Sequence, residues 1–502
     1  MSATVLILLS IFMPLTAGLV LRAFDKEPNI RDGFSLLVAA STFVCVCSLT
    51  PQVMAGERPA FELVEMLPGL SIAFEIEPLG MLFALIASGL WIITTLYAIG
   101  YMRGHHEANQ TRFFTCFAVA IGAAVGAAFS ANLLTLFVCY ELLSVSTFPL
   151  VAHHQSAESR KAGRIYLGIL LTSSVLFFLP AIVWTWHLTG TTDFVAGGIL
   201  MGKISDGAVP LLLALFIFGA GKAAVMPLHR WLPAAMVAPT PVSALLHAVA
   251  VVKVGVFTVV KVVTYTFGTK LLTETGGSIW LMYVASFTIL AASVVALGKD
   301  NLKARLAYST ISQLSYIVLG AAFANELGIL GAGFHIAMHA MGKITLFFAA
   351  GALIVLVHKT EISDMAGIGR KMPWTMGAFF VGSLCIIGIP PTGGSWSKWY
   401  LLMSAADANV WLMGVLLISS LFSIGYLMPV VTTAFFKPLP PETDHHHDDH
   451  HDEHHHGGSG NVEYDHILCV IPPVLTAAGC VLLFLFSDQL YALLEPIMAA
   501  NR

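Results

Sequence analysis

Long apolar segments, separated by short polar loops, run through almost the whole chain. Most of them reach roughly 18 residues, which is enough for an α-helix to cross about 30 Å of hydrocarbon. Division of the sequence at polar, proline-rich and glycine-rich positions predicts about fourteen membrane-spanning helices. Their centres lie near residues 12, 40, 88, 120, 142, 174, 220, 253, 289, 313, 342, 388, 422 and 477. The pattern therefore predicts an all-α polytopic membrane protein.

The predicted helices divide the chain into five parts. The linker at residues 50–78 is long and acidic, and we expect it to form an ordered cap outside the bilayer. A later loop, residues 445–456, consists of histidine and acidic residues; we interpret it as a solvated linker, with weak metal buffering or proton collection as the alternative. The parts are residues 1–110 with helices 1–3, 111–266 with helices 4–8, 279–436 with helices 9–13, 437–465 with the histidine-rich loop, and 466–502 with helix 14.

Composition agrees with a lipid environment. Apolar residues make up 57% of the 502 residues and charged residues only 11%, whereas about 25% of a typical soluble domain is charged. The net charge of -4 gives no sign of a nucleic-acid partner. Seven cysteines are scattered without paired spacing, so we interpret them as small buried residues.

The basic residues of the loops indicate an orientation. Loops after odd-numbered helices carry most of them, whereas loops after even-numbered helices carry only Arg58, Lys203 and Lys270. Cytoplasmic loops of membrane proteins are enriched in lysine and arginine. The sequence therefore predicts a multi-pass protein of the cell inner (cytoplasmic) membrane with both termini on the outer side.

Six charged residues fall within predicted helices or at their edges. A charge at the bilayer centre costs about 3 kcal/mol on insertion scales, which favours a functional role. We interpret the glutamate as a group that gains and loses a proton, with a structural lysine partner as the alternative. The lysine at 261 lies near a helix end, and we expect it to extend to the interface. The six are Glu141, Lys222, Lys253, Lys261, Lys343 and Lys398.

Lys222 lies in a segment that an unbroken helix does not favour. Gly219 and Gly221 precede it and Pro227 follows. Proline removes a backbone donor and clashes with the preceding turn, so carbonyl groups lose their usual partners. Such a backbone is tolerated in a membrane where it lines a cavity. We therefore predict a broken helix at this lysine; extension of Lys222 to an interface is the alternative.

Two further helices carry titratable groups at helical spacing. His247 and Lys253 are six residues apart, or ~9 Å along a helix axis, a gap that water can bridge. His335, His339 and Lys343 follow at i, i+4 and i+8, on one stripe of one helix. This spacing favours a proton relay. Two histidines at i and i+4 also suit zinc, but the lysine would repel a cation, so we predict neither a metal nor a cofactor.

A second interruption is predicted near the end of the apolar region. Pro390, Pro391, Gly393 and Gly394 precede Lys398, and a helix cannot cross this sequence unbroken. A helix breaker beside a lysine therefore occurs twice. Paired discontinuous helices are typical of transporters built from repeated halves.

Six segments carry a resemblance to a known family: Lys222–Pro233, Ala238–His247, Asn301–Gln313, His335–Lys343, Met372–Pro373 and Pro390–Lys398. They resemble the antiporter-like membrane subunits of Mrp-type cation/proton antiporters, complex I and energy-converting hydrogenases, over about residues 130–400. Met-Pro-Leu-His-Arg stands where Phe-Pro-Leu-His-Phe is commoner in the family. The length and the segment 367–376 resemble the Mrp D-type subunit most.

The resemblance implies a fourteen-helix fold with two inverted five-helix repeats, helices 4–8 and 9–13, in which helices 7 and 12 are broken. It also implies roles for the residues singled out above. These roles are an ion pair of Glu141 with Lys222, a central axis of Lys253, His335, His339 and Lys343, and a terminal proton site at Lys398.

We expect a proton-translocating subunit of a multisubunit antiporter, in which inward proton flow drives outward Na⁺ or another monovalent cation. The partners would be other membrane subunits. The alternative is a proton-pumping membrane subunit of a redox-driven complex, whose redox chemistry would reside in partner subunits. A docking scaffold that conducts nothing is disfavoured because buried lysines are costly. No enzymatic activity of its own is expected unless the chain is a translocase subunit of a redox complex.

Overall fold

The computed structural model describes residues 1–438 and 467–499, and in these ranges the chain is mostly helical. The histidine-rich loop at 445–456 lies outside the described residues. The helices are α1 (Ala3–Phe24), α2 (Pro28–Met54), α3 (Pro78–Gly104), α4 (Gln110–Ala128), α5 (Leu133–Val151), α6 (Ala157–Thr189), α7 (Asp206–Gly219), α8 (Thr240–Phe267), α9 (Ile279–Leu297), α10 (Leu302–Ala322), α11 (Glu326–Val357), α12 (Pro373–Ile387), α13 (Gly394–Ala408), α14 (Val410–Phe436), α15 (Ile467–Leu485) and α16 (Ser487–Ala499). Short helices at Trp231–Ala234 and Thr269–Thr275 lie between them.

Eleven helices within the described ranges are long and apolar enough to cross a membrane: α1–α6, α8, α9, α11, α14 and α15. Two more apolar helices, α7 and α12, are shorter because each ends at an interruption. Helix α10 has 21 residues, but Lys303 and Arg305 lie in its first turns. The prediction of a polytopic helical membrane protein is confirmed, and the count of fourteen spans stays a prediction.

The acidic linker contains a β-hairpin, so the all-α prediction is wrong at this point. Strand β1 (Ala60–Leu67) pairs antiparallel with β2 (Leu70–Glu75). Pro68 and Gly69 form the turn, and Gly69 has a φ of +75°. Pro-Gly at the centre of a turn is the sequence signature of type II, which requires a positive φ at its third position. The Pro68-Gly69 pair is visible in the sequence and favours a hairpin here, although the segments on both sides are helical.

The hairpin is fastened to the beginning of α5. The side chain of Asn132 donates from Nδ2 to the carbonyl of Ser71 at 2.8 Å, and Ala73 N–H donates to Thr135 Oγ1 at 3.0 Å. Asn132 also caps α5, because its Oδ1 accepts from the Thr135 N–H. The linker therefore forms an ordered cover over the helices.

The centre of the molecule is formed by α8 and α11. The apolar stretch of α8 is entirely buried, and α11 packs against α10, α12, α13 and α15. Large apolar side chains are exposed on peripheral helices instead, for example Leu37, Phe287 and Leu421. Apolar side chains on the outer surface are expected when the surrounding solvent is lipid.

Candidate functional site

Lys222 lies in the interruption after α7, wholly buried. The helix ends at Gly219, a short 3₁₀ turn spans Gly221–Ala223, and Ala224 has a φ of +55°. The chain then continues irregularly to α8, as the glycine and proline pattern predicted. Lys222 thus lies at a break in the α-helix inside the protein, as in the discontinuous helices of transporters.

The ammonium group of Lys222 is held by α5. Nζ donates to the carbonyl of Tyr140 at 2.8 Å and to Ser144 Oγ at 2.6 Å, and it lies 3.1 Å from the centre of the Tyr140 ring. The phenol of Tyr140 in turn accepts from the Lys222 N–H at 3.0 Å. A carbonyl, a hydroxyl and an aromatic face together replace the water that a lysine would otherwise require.

The carboxylate of Glu141 is not paired with Lys222 in this conformation. Both of its oxygens are buried and make no hydrogen bond within the described residues. The residue nevertheless follows Tyr140 directly on α5, so it belongs to the same site. A buried carboxylate without a partner is costly. The predicted ion pair is therefore replaced here by a separated arrangement, and its role in transport stays a prediction.

A close approach of α8 holds the interruption in place. A Cβ at Gly255 would meet the backbone of Lys222 and Ala223, and 2.8 Å would separate it from the Cβ of Lys222. Only glycine leaves room for this contact. Because Gly255 lies two residues after Lys253, the same contact also places the second lysine near the first interruption.

Lys253 reaches across to α11 and contacts His339. Its Nζ lies 2.6 Å from His339 Nδ1, and both side chains are buried. At this distance one nitrogen must donate and the other must accept, so the two groups hold one shared proton between them rather than two facing positive charges. The sequence predicted both groups, and the structure brings them into direct contact.

The remaining histidines lie on either side of this contact. His247 is buried in a π-helical turn of α8, Leu245–Val249, and its ring lies 4.9 Å from that of Phe347. Its ring nitrogens have no hydrogen-bond partner within the described residues. His335 bonds through Nδ1 to Ser397 Oγ at 2.9 Å. The water-bridged route from His247 to Lys253 stays a prediction.

The histidine nitrogens do not converge on a common point that would suit a metal. The Nδ1 atoms of His335 and His339 are directed to Ser397 and Lys253, and the ring centres are 6.0 Å apart. Within the described residues, no group of three histidine, cysteine, aspartate or glutamate side chains is arranged to hold a metal ion.

Lys343, one turn beyond His339, is held by α10. Its Nζ donates to Ser309 Oγ at 2.7 Å and to the carbonyl of Leu306 at 3.2 Å. The hydroxyl of Ser309 donates onward to Tyr426 on α14, at 3.0 Å. The lysine is therefore connected to hydroxyl groups of two further helices.

Lys398 lies on α13, just after the second interruption. Its Nζ donates to the carbonyl of Ile387 at 2.9 Å and to Ser420 Oγ at 3.0 Å, and it lies 4.9 Å from the centre of the Tyr316 ring. Tyr316 stacks on His335 at 5.5 Å. We call Lys253, His339, His335, Lys343 and Lys398 the axial groups; they form a buried series from the centre of the protein to the second interruption.

A cluster of hydroxyl groups lies beside the axial groups and was missed at the sequence level. Ser293 on α9, Ser312 on α10 and Ser419 on α14 contact each other at 2.9 to 3.4 Å. Each hydroxyl can both donate and accept, so such a cluster passes hydrogen bonds between helices. The available signal was the density of serine and tyrosine in the apolar segment 308–316.

Lys261 corrects another expectation. We expected it to extend to an interface, but its side chain is completely buried and its Nζ lies 3.4 Å from Glu77 Oε1. Glu77 caps α3, where its carboxylate accepts from the Leu79 and Gly80 N–H groups. The helix-end position suggested an exposed lysine, but the hairpin and the loop at residues 190–200 cover that end of α8.

The chain matches two protein-family models. The model "NADH:quinone oxidoreductase/Mrp antiporter, TM" matches residues 130–423, which include all the predicted site residues. The model for the N-terminus of complex I chain 5 matches residues 68–114.

Several curated proteins are similar in sequence. NADH-quinone oxidoreductase subunit N of Desulforudis audaxviator is 32% identical over 500 residues, which cover 98% of this chain and 94% of that protein. Hydrogenase-4 component B of Escherichia coli is 30% identical over 77% of this chain, and one component of a probable K⁺/H⁺ antiporter of Rhizobium meliloti is 31% identical over 80%. These matches span 59% and 40% of the length of those two relatives.

Two solved structures share the fold. A chain of the Mrp complex from Dietzia sp. superposes with a TM-score of 0.84 at 21% identity and covers 99% of this chain. A chain of an archaeal membrane-bound sulfane sulfur reductase superposes with a TM-score of 0.83 at 22% identity and covers 100%.

Proposed function

Because this chain belongs to the family of membrane subunits that NADH:quinone oxidoreductases and Mrp antiporters share, we propose that it carries protons in a multisubunit antiporter for sodium or another monovalent cation. Proton translocation is the activity common to the family. We further propose which kind of complex contains the chain and which residues carry the proton.

The contact between Lys253 and His339 is the observation that carries the proposal. It joins α8 to α11 at 2.6 Å, inside a protein core where charges are otherwise costly. A proton that moves from one nitrogen to the other leaves the geometry unchanged. The axial groups on either side then offer the next positions.

In the proposed mechanism, Glu141 and Lys222 form an ion pair in one state and separate in another. The separated arrangement, with Lys222 bonded to Tyr140 and Ser144, is one of these states. A proton arriving at Lys253 and His339 adds a positive charge near the interruption and thereby biases the position of Lys222. The carboxylate and the lysine would couple proton arrival to a change in the broken helix.

The proposal includes the arrangement predicted from the sequence. Helix α10 and the two interrupted spans would complete fourteen crossings, organised as two inverted repeats of helices 4–8 and 9–13. Both termini would face outward, because the basic loops favour a cytoplasmic position. Inward proton flow would then drive outward cation movement, together with the other membrane subunits of an Mrp-type complex.

A redox-driven proton pump is the second candidate. It is favoured by the relative from Desulforudis audaxviator, which carries the name of a quinone oxidoreductase and matches almost the whole chain. In that case electron transfer in partner subunits would drive protons outward along the same groups.

Purified intact complex in proteoliposomes would test the proposal. Addition of Na⁺, K⁺ or Li⁺ to vesicles holding a pH gradient should change the fluorescence of a pH-sensitive dye for the transported cation. His339→Gln should lower this response by roughly a hundredfold, since a glutamine can bond to Lys253 but cannot take up or release a proton. Replacement of the peripheral His187 by glutamine is the matched control and should leave the response unchanged.

The same vesicles separate the two candidates. A cation-dependent response without electron donor supports the antiporter, whereas a response only to electron donor and acceptor supports the pump. Wild-type proton movement in both His339→Gln and Lys253→Met would contradict the proposed route in either complex.

A further inference from the structure

A buried ion pair lies at the hairpin end of α8, away from the axial groups. Lys261 Nζ lies 3.4 Å from Glu77 Oε1, and the two side chains are 0% and 4% exposed. On the basis of the proposed function, we propose that Lys261 and Glu77 form a proton gate. Through this gate the first half of the chain would exchange protons with the hairpin side of the membrane.

The gate has more partners than an isolated ion pair needs. Tyr265, one turn after Lys261, donates its hydroxyl to Glu77 Oε2 at 3.0 Å. Lys261 Nζ also donates to the carbonyl of Ser130 at 2.7 Å and lies between the rings of Phe194 and Phe257, 4.6 and 5.2 Å from their centres. The lysine therefore has bonding partners other than Glu77, so it can release the carboxylate without losing every contact.

A small cavity connects the pair to the surface. Its volume is about 10 Å³, and Glu77, Lys261, Tyr265 and Phe194 line it together with Arg58 and Glu75. This is close to the space that one water molecule requires. Arg58 and Glu75 belong to the hairpin region, lie 3.5 Å apart and are about one-third exposed. A proton thus has to pass one water-sized space to move between Glu77 and the rim.

The other end of the gate is connected to the axial groups by a single helix. Lys261 follows Lys253 on α8 by eight residues, or ~12 Å along the axis. The buried hydroxyls of Thr258 and Thr264 lie in this interval or next to it, and Thr264 Oγ1 has no hydrogen-bond partner within the described residues. A π-helical turn, Val262–Phe267, begins directly after Lys261 and shifts the faces of the helix there.

The competing explanation is a structural brace. Glu77 caps α3, and a buried ion pair between two helices and a loop stabilises their packing. Removal of one partner would leave an uncompensated buried charge and disturb the fold for that reason alone. Variants that keep or remove both charges together are therefore required.

Lys261→Arg distinguishes the two explanations most directly. Arginine keeps the positive charge and pairs well with a carboxylate, but it does not release a proton in proteins. The double variant Glu77→Gln/Lys261→Met removes both charges and leaves no unpaired one. Lys270→Met is the matched control, because Lys270 lies near the same end of α8 in an exposed pair with Glu274.

The experiment uses membrane vesicles with the intact complex, in right-side-out and everted form. An impermeant maleimide directed at a Glu65→Cys variant in the exposed hairpin identifies the side on which the hairpin lies. Cation-dependent proton flux is then measured while pH is varied on one side only. In the assembled complex, Lys261→Arg and the double variant should lose flux about tenfold or more and lose its dependence on pH at the hairpin side.

Each result decides the question. Wild-type flux and pH dependence in an assembled Lys261→Arg or double variant would overturn the gate, while loss of flux in Lys253→Met would leave the proposed function intact. Wild-type flux in both Lys253→Met and His339→Gln would instead reject the proposed proton route on which the gate rests. Failure of both Lys261→Arg and the double variant to assemble would identify the pair as a brace and overturn the gate.

Discussion

The two interrupted helices of this protein hold their lysines in similar ways but differ in charge. Lys222 and Lys398 each donate to one main-chain carbonyl and one serine hydroxyl, and each lies near a tyrosine ring. At the first interruption a buried carboxylate, Glu141, follows the tyrosine that Lys222 contacts. Within the described residues, the hydrogen-bond partners of Lys398 include no carboxylate.

We propose that this difference determines which half of the molecule can switch. A lysine next to a carboxylate has two favourable arrangements, paired and separated, and a nearby charge can change their balance. A lysine without a carboxylate nearby can be charged or neutral, but it has no ion pair to make or break. We infer that the first interruption couples proton arrival to structure, whereas the second passes protons on.

The largest effect that would test this comparison is expected from Glu141→Gln. The substitution removes the carboxylate and makes the first interruption chemically similar to the second. Cation-dependent proton flux in the reconstituted complex should fall by roughly a hundredfold, with assembly preserved because the two side chains have nearly the same shape. Dye-based flux and native electrophoresis of the complex measure the two quantities.

Glu158→Gln is the control for that variant, because Glu158 is an exposed carboxylate on α6. It should transport like the wild type. If Glu141→Gln also transported like the wild type, the two interruptions would have to be regarded as equivalent.

A smaller effect, on stability, is expected when a glycine packed against either interruption is replaced by alanine. A Cβ at Gly255 would meet the backbone of Lys222 and Ala223, and a Cβ at Gly394 would meet the carbonyl of Cys385. Overpacking typically costs about 1–3 kcal/mol, so Gly255→Ala and Gly394→Ala should lower the melting temperature of the complex. Gly168→Ala, where a Cβ meets nothing within 4 Å, should leave it unchanged or slightly higher. Equal melting temperatures in all three variants would contradict the close packing.

The smallest effect is expected from the serines that hold the two lysines. Ser144→Ala and Ser420→Ala each remove one hydrogen bond to an ammonium group and leave the bond to the main-chain carbonyl in place. Ser144→Ala should change the cation dependence of transport, since it favours the paired state of Lys222 with Glu141. Ser420→Ala should slow transport several-fold without changing that dependence, and matching cation profiles of the two variants would remove the distinction.

Much of this arrangement was predictable from the sequence, because charged residues within membrane-spanning helices are rare and usually mark functional sites. The polytopic helical character, both interruptions and the family followed from apolar length, proline and glycine positions, and short motifs. The roles of the individual site residues remain predictions. The contact of Lys253 with His339 joins residues 86 positions apart. The sequence identifies both residues, but it does not show that their side chains touch.

The missed features depend on packing between distant segments. The sequence places Lys261 near a helix end and predicts an accessible side chain, but the hairpin and the loop that contains Phe194 cover it. The serines of α10 are ordinary helix residues by sequence, and only the approach of α9 and α14 makes them a cluster. The hairpin itself carried a local Pro-Gly signal, which the long helical pattern around it obscured.

On the proposed route, the direct contact between Lys253 and His339 would also limit how fast this protein transports protons. Two nitrogen atoms at 2.6 Å share a single proton, so a second proton cannot arrive until the first has left. Proton transfer along the proposed route would therefore be stepwise, with the pair releasing one proton before it takes up the next. We expect transport rates to saturate with proton concentration as in a carrier, rather than to rise as ion currents do in an open pore.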